Sequence, residues 1–221
     1  MAIEKLIPLL INGVRDTLYM TVVSTLFAYL LGMPLAILLV LTSPKGLRPQ
    51  PLIYRVLDAV VNTLRSIPFL ILMILVIPIT RFIAGKAYGS TATIVPLVIA
   101  AAPYVARMIE SSLLEVDPGV VEMAQAMGAS IPEIILKVLL PEAKTSLIVG
   151  ATISSGTILG YSAMSGAVGG GGLGQIAISY GYNRYQTDVL IVTVILLIVL
   201  MQIFQIVGMA ISRKTDKRIR E

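Results

Sequence analysis

The sequence contains no cysteine and no histidine, and charged residues make up only 13% of its 221 positions. Without those two residue types, disulfides, thiol chemistry, Cys/His metal sites and histidine proton relays are excluded. No G-x-x-x-x-G-K-[ST] sequence occurs either, so the chain has no Walker A phosphate loop of its own. We therefore expect no catalytic residue, no bound metal and no cofactor in this chain.

Hydrophobic residues are abundant instead, at 57% of the chain, and the mean hydropathy is +0.91. A helix of about 20 apolar residues crosses the ~30 Å hydrocarbon layer of a membrane. The sequence predicts a single all-α membrane domain over residues 1–221, with five spans at 18–42, 56–80, 90–107, 145–166 and 188–212. Residues 1–17 precede the first span and suit either an interfacial helix or a simple lead-in turn.

The distribution of Lys and Arg predicts the orientation of these spans. With the N-terminus outside, 11 basic residues lie in inner segments and 5 in outer segments, with Arg65 inside the membrane. The inner group includes the tail residues Lys217, Arg218 and Arg220. Cytoplasmic loops carry the excess of Lys and Arg in membrane proteins. We therefore expect an outer N-terminus, a cytoplasmic C-terminus and no nucleic-acid partner for the basic chain.

The second predicted span carries three polar residues, Asp58, Asn62 and Arg65, at helical spacing. That spacing places them on one face, and the cost of charge in lipid turns this face toward protein or water. Two interpretations stay open: an internal polar clamp between helices, or a direct role on a solute route. Arg65 is expected to pair with Asp58. Pro68 follows in RSIPF and is expected to bend the span.

A glycine cluster follows the fourth predicted span. Gly169, Gly171 and Gly174 match G-x-G-x-x-G, but that pattern indicates dinucleotide binding only between a strand and a helix. We interpret the cluster as a flexible or closely packed re-entry of backbone between the last two spans. Tyr180, Tyr182 and Tyr185 come next and suit either an interfacial aromatic belt or contact with an external partner.

The stretch 122–143 is the longest part of the chain that looks water-soluble, and it belongs to a predicted helical hairpin over 117–143. Asp117 before Pro118 predicts a helix start, and Gly128 predicts a left-handed residue that ends this helix near Met127. Ser130 and Glu133 form a capping box that starts a second helix.

The second helix is predicted to end at Leu140-Pro141. Its apolar residues fall on one stripe: Ile131, Ile134, Ile135, Val138 and Leu139. The stripe can fold back on the chain's own spans or dock into a soluble partner, and its periodicity does not decide between them.

This hairpin carries a spaced motif. Glu122, Ala124 and Gly128, followed by Val138-x-Leu140-Pro141, resemble the E-A-A-x-x-x-G-x(9)-I-x-L-P motif of permease subunits of binding-protein-dependent ABC importers. Met123 and Val138 depart mildly from the motif. RSIPF at 65–69, AAPYVARMIESSLLEV at 101–116, AQAMGAS at 124–130, KVLLPEA at 137–143 and GYSAMSGAVGGGGLGQI at 160–176 further resemble the methionine importers of that family.

The resemblance implies the type I importer permease fold in a bacterial inner membrane, with this segment as a cytoplasmic coupling hairpin. It implies a homodimer that forms the solute path, two separate ATPase subunits and an extracytoplasmic binding protein. The implied ATPase-coupling residues are Glu122, Ala124, Gly128, Ala129, Ser130, Ile131, Glu133, Ile134, Lys137 and Pro141. The implied path or gate residues are Ser66, Phe69 and Met164, although Phe and Met also suit ordinary helix packing.

Three other functions remain possible from the residues. The permease could carry another small amino acid or organic solute. A secondary transporter driven by an ion gradient is disfavoured because Asp58 is the only plausible intramembrane carboxylate. A membrane scaffold or intramembrane enzyme is disfavoured because no nucleophile lies near a base.

Overall fold

The computed structural model describes residues 3–215, so Lys217, Arg218 and Arg220 lie outside the described part. The α-helices of that part are α1 Ile3–Thr42, α2 Pro51–Ser66, α3 Phe69–Leu75, α4 Ile77–Ala84, α5 Ser90–Leu114, α6 Pro118–Ala126, α7 Ile131–Glu133, α8 Leu140–Glu142, α9 Lys144–Ser165, α10 Gly172–Ile176 and α11 Thr187–Thr215. Ile134–Leu139 and Ala177–Tyr182 are π-helical, and Gly166–Val168 is a 3₁₀ turn.

Four helical segments within 3–215 are long and apolar enough to cross a membrane, and the number rises to five when the bent pair α2 and α3 is counted as one span. Five spans were predicted, and the all-helical membrane fold is confirmed. The fourth and fifth predicted spans match α9 and α11 closely, whereas α5 extends the third predicted span by several residues to Leu114.

The second span was predicted over 56–80 with a bend at Pro68, and the structure interrupts the helix there. It breaks at Ile67 and Pro68, and the axes of α2 and α3 differ by 104°. Ile67 is extended, with φ −81° and ψ 124°, because the ring of a following proline disfavours the helical conformation. Pro68 also brings no N–H donor, so one helical hydrogen bond is missing at this point. The expected bend is therefore a complete break.

The N-terminal segment is not a separate interfacial helix or a lead-in turn. Helix α1 runs without interruption from Ile3 to Thr42. Leu6, Leu10 and Val14 pack with Leu173 of α10 in one apolar cluster. Burial of these side chains against protein explains why the helix continues straight into the span.

Helix α5 lies at the centre of the chain. It is 61% buried over its most apolar 18 residues, compared with 17% for α11. Its residues Ala101, Val105 and Ile109 belong to the main core cluster, together with Ala28 of α1 and Ile158 of α9. The broad apolar surface of α11 is left to face lipid or another chain.

The glycine cluster closes a tight turn between α9 and α10, as expected from close packing of backbone. A Cβ on Gly174 would stand 2.7 Å from the Cα of Ala163, and a Cβ on Gly166 would collide with Gln175. The turn is tied to the rest of the fold by three hydrogen bonds, one of which runs from the Gly89 N–H to the Gly169 carbonyl at 2.9 Å. Thr93 donates to the Gly170 carbonyl at 3.1 Å, and Leu173 N–H donates to the Thr17 hydroxyl at 2.9 Å.

Candidate functional site: a capped hairpin and a polar helix break

The first helix of the hairpin begins and ends as predicted. The Asp117 carboxylate accepts a hydrogen bond from Gly119 N–H at 2.7 Å and caps α6. Gly128 has φ +80°, the left-handed conformation in which glycine is favoured. The Gly128 and Ala129 N–H groups donate to Gln125 and Ala124 carbonyls at 2.9 and 3.1 Å. The chain therefore turns sharply at Gly128.

The second helix begins at a charged cap formed by three residues. The Glu133 carboxylate accepts hydrogen bonds from Ser130 N–H at 3.1 Å and from its hydroxyl at 2.8 Å. Lys137 donates to the same carboxylate at 3.0 Å. The Lys137 contact, followed by the two from Ser130, lowers the pKa of Glu133 to about 2. The capping residues Ser130 and Glu133 are those predicted from the sequence.

The end of the second helix was predicted wrongly. Pro141 does not terminate it, because Ala143 N–H donates to Leu139 and Leu147 N–H to Ala143, which joins the helix to α9. The preceding turns, Ile134–Leu139, are π-helical, and the Leu140 N–H bonds back to Ile135. The wider π turn leaves space for the proline ring and requires no donor from Pro141. The hairpin is thus joined to α9 through the single turn residue Ala143, without a loop.

The apolar stripe folds back on the chain's own helices. Ile134 is 1% exposed and Leu139 6%, and both join the core cluster that contains Val105 and Ile109 of α5. Ala124 is also buried, at 3%. Of the ten expected coupling residues, Ala124 and Ile134 are therefore inaccessible, and Ala129 and Ile131 are half-buried. Ala124, Ala129 and Ile134 pack in or against the core cluster and fix the hairpin on the spans.

The opposite face of the hairpin is open. Six of the expected coupling residues are exposed: Glu122, Gly128, Ser130, Glu133, Lys137 and Pro141. Between them lie three large exposed side chains that the sequence reasoning did not assign: Met123, Met127 and Leu136. The position of Leu136 between the stripe residues Ile135 and Val138, off the stripe itself, could have identified it as exposed. We call Met123, Met127, Leu136, Glu133 and Lys137 the outer face of the hairpin.

The polar residues of the second span form the expected clamp between helices, but their cationic partner is not the expected one. Arg107 of α5 forms an ion pair with Asp58 and donates to Asn62 at 3.1 Å and to Glu110 at 2.6 Å. Asn62 also donates to Asp58 at 3.1 Å. The predicted Asp58–Arg65 pairing is wrong, because Arg107 from a neighbouring helix neutralises both carboxylates. The sequence could not reveal a partner 49 positions away.

Arg65 instead lies at the helix break, beside a cavity of about 110 Å³. The residues lining this cavity are Leu64, Arg65, Ile67, Phe69, Ala100, Tyr104 and Tyr161. Phe69 is buried and stacks on Tyr161, with ring centroids 4.6 Å apart. Ser66 is exposed and its hydroxyl donates to the Asn62 carbonyl, and Met164 is exposed on α9. Tyr182 and Tyr185 are also exposed, whereas Tyr180 stacks under Arg184.

The chain matches known proteins along nearly its full length. Residues 28–221 match the family described as the binding-protein-dependent transport system inner membrane component. A relative from Vibrio cholerae, named a probable D-methionine transport system permease protein MetI, is 50% identical over 210 residues, which cover 95% of this chain and 93% of the relative. A protein of the same name from Haemophilus influenzae is 42% identical over 203 residues, covering 92% and 95%.

The fold matches a solved transporter equally well. A structure described as an inward-facing conformation of the MetNI methionine ABC transporter aligns with a TM-score of 0.95 at 46% identity, covering 97% of this chain and 99% of that one. Sequence and fold therefore agree, and this chain belongs to the family of binding-protein-dependent transport system inner membrane components.

Proposed function

We propose that this chain is the permease subunit of an ATP-driven ABC importer that brings methionine into the cell. The observation that carries this proposal is the similarity, over nearly full length in sequence and fold, to permeases named for D-methionine and to a methionine ABC transporter. The permease itself makes and breaks no bonds. Its task is to switch a membrane path between two openings while a separate subunit hydrolyses ATP.

A second copy of the chain completes the path. The exposed Ser66 at the helix break and the exposed Met164 on α9 supply pathway and gate positions, and Phe69 supports them through its stacking on Tyr161. An extracytoplasmic binding protein delivers the solute. Two ATP-binding subunits act from the cytoplasm.

The outer face of the hairpin is the docking surface for the ATP-binding subunit. It combines exposed apolar side chains, Met127 at 73% and Leu136 at 65% exposure, with the charged Glu133–Lys137 pair. An interface of this kind has an apolar centre and a charged rim. Since the same segment packs its inner stripe on α5 and runs directly into α9, movement of the ATP-binding subunit is transmitted to the spans as a rigid body.

The hairpin lies on the cytoplasmic side, with the N-terminus outside and the C-terminus inside. The excess of Lys and Arg in the segments on the hairpin's side supports this orientation. Single cysteines introduced for labelling test it, because the chain has none of its own. A membrane-impermeant maleimide added to intact cells should label Tyr185→Cys and spare Leu136→Cys, and the reverse pattern would overturn the orientation.

Uptake by reconstituted vesicles tests the function. The permease, its ATP-binding subunit and its binding protein are placed in liposomes with radiolabelled methionine. We expect uphill accumulation that needs ATP and that unlabelled L- or D-methionine competes away. Accumulation driven by an ion gradient without ATP, or competition only by a different amino acid, would contradict the proposal.

A further inference from the structure

We propose that the cavity at the helix break is a binding site for the carboxylate of the transported amino acid, with Arg65 as its anion-binding group. This inference rests on the proposed function and assigns the permease its own contact with the solute. The site consists of Arg65, Phe69, Tyr104 and Tyr161, which come from α2, α3, α5 and α9.

The first argument is the difference between the two arginines of this region. Arg107 is paired with the carboxylates of Asp58 and Glu110. Within residues 3–215, Arg65 forms no salt bridge and is exposed at the helix break, where a ligand can reach it. A guanidinium presents a planar set of donors that matches a carboxylate. An anionic ligand would therefore supply the partner that the described fold does not.

The second argument is the set of aromatic side chains that line the cavity beside the Arg65 guanidinium. Phe69 and Tyr161 are stacked nearly parallel, at 5°, and hold one rigid aromatic surface next to Arg65. Tyr104 and Tyr161 carry phenol groups, which can donate hydrogen bonds to an anion. A cation beside an aromatic wall suits a small amphiphile that has a carboxylate and an apolar side chain. Sulfur-containing and aliphatic side chains both pack well on such rings.

The third argument is the size and position of the cavity. At about 110 Å³ it is smaller than the roughly 300 Å³ at which pockets for whole ligands begin. It can hold the head group of an amino acid while the side chain extends outward. Ser66, which follows Arg65 in sequence, is exposed at the same break. A site that encloses only part of the solute binds it weakly, as a transport step requires.

Direct binding to the assembled transporter tests this site. The permease with its ATP-binding subunits, but without the binding protein, is placed in nanodiscs and titrated with radiolabelled L-methionine. Methioninol, which carries an alcohol in place of the carboxylate, is the matched ligand control. Arg55→Gln is the matched variant control, because Arg55 is exposed on the same helix outside the cavity.

We expect saturable methionine binding that methioninol does not compete away. Arg65→Gln should weaken methionine binding roughly tenfold to a hundredfold, because this range corresponds to the free energy of a hydrogen bond to a charged group. Arg55→Gln should leave methionine binding unchanged. Arg65→Lys should weaken it less than Arg65→Gln, because the charge remains. If Arg65→Gln fails to assemble, the carboxylate site is tested by comparing methionine with methioninol as competitors for the wild-type complex.

Three results would overturn the site: no saturable binding to the wild-type complex, equal competition by methioninol, or wild-type affinity in Arg65→Gln. Methionine uptake by the wild-type complex with its binding protein is measured in parallel. Absence of uptake there would refute the proposed function, whereas normal uptake together with any of the three results would refute the cavity site alone.

Discussion

Arg107 of α5 forms a salt bridge with Asp58 of α2 and a second one with the buried Glu110 of its own helix. One guanidinium group therefore links α2 to α5. Helix α2 packs little of its own surface, and Val61 is its only buried residue in the described part of the chain. The network around Arg107 is therefore a main attachment of the broken span to the central helix. It is absent from the sequence pattern, which places the polar residues of α2 together but does not identify their partner.

Replacing Arg107 should destabilise the permease more than replacing Asp58. Arg107→Gln leaves Asp58 and Glu110 without a cation, at a cost on the order of 3 kcal/mol. Asp58→Asn keeps the Arg107–Glu110 pair and should cost about 1 kcal/mol. Apparent unfolding midpoints in detergent measure both changes.

Arg65→Gln is the control for this network, because Arg65 lies outside it. We expect a stability change within about 0.5 kcal/mol, as for ordinary exposed positions. A loss in Arg65→Gln equal to that in Arg107→Gln would restore the Asp58–Arg65 pairing predicted from the sequence and contradict the observed one.

Gly128→Val should weaken association with the ATP-binding subunit while membrane insertion is preserved. No atom lies within 4 Å of a Cβ built at Gly128, so the substitution causes no collision. The cost comes from the backbone, since φ is +80° and a left-handed L-residue costs roughly 1–2 kcal/mol, more when β-branched. Co-purification of the ATP-binding subunit measures the effect.

Gly128→Asn is the matched control, because asparagine tolerates the left-handed conformation. It should retain more of the ATP-binding subunit than Gly128→Val does. Equal retention by valine, asparagine and the wild type would show that the turn at Gly128 does not shape the docking surface.

The cap of the second hairpin helix should be insensitive to pH across the physiological range. The pKa of Glu133 is lowered to about 2, below its ordinary value of 4.5, so the ionised carboxylate favours the folded hairpin. A depressed pKa gives stability that is complete above the unfolded value and is lost as the pH falls toward 2. Carbon-13 NMR of the Glu133 carboxyl should show no titration between pH 8 and 4.5.

Lys137→Ala removes the largest cause of that shift and should raise the pKa of Glu133 toward its ordinary value. Ser130→Ala should raise it less, because the Ser130 N–H still donates. A wild-type Glu133 that titrates near 4.5 would mean that the cap is not formed in solution.

Two glycines of the same region should respond oppositely to alanine. Gly174→Ala forces α10 away from the Ala163 backbone and should destabilise the fold by about 1–3 kcal/mol, as overpacking does. At Gly160 nothing lies within 4 Å of an added Cβ, so Gly160→Ala should be neutral or stabilise α9 by up to about 1 kcal/mol. Expression level and apparent melting temperature in detergent check the pair; equal behaviour would contradict the close packing of the turn.

Local features of the fold follow from the sequence because they depend on neighbouring residues. The cap at Asp117, the turn at Gly128 and the box of Ser130 with Glu133 need only a few positions each, and the structure has all three. The break at Pro68 is likewise local, although its size was not predictable. Whether proline breaks or merely bends a span depends on the surrounding helices.

Features that depend on distant residues could not be predicted. The side on which Ile134 and Leu139 are buried depends on where α5 lies, and periodicity gives only the stripe. Pro141 predicts a helix end, but the π turn before it allows the helix to continue into α9. Residues 3–17 continue α1 because α10 returns to cover them. In each case packing between elements overrides a local signal.

The central claim is that the outer face of the hairpin carries the ATP-binding subunit, and cross-linking tests it most directly. Met127→Cys places one cysteine on that face in a chain that has no other, and Phe82→Cys, 91% exposed in α4, is the control. With a short thiol-to-amine cross-linker in inverted membranes containing the transporter, we predict a permease–ATPase adduct for Met127→Cys and none for Phe82→Cys. An adduct at Phe82→Cys, or none at Met127→Cys while the complex still hydrolyses ATP and transports, would contradict the account.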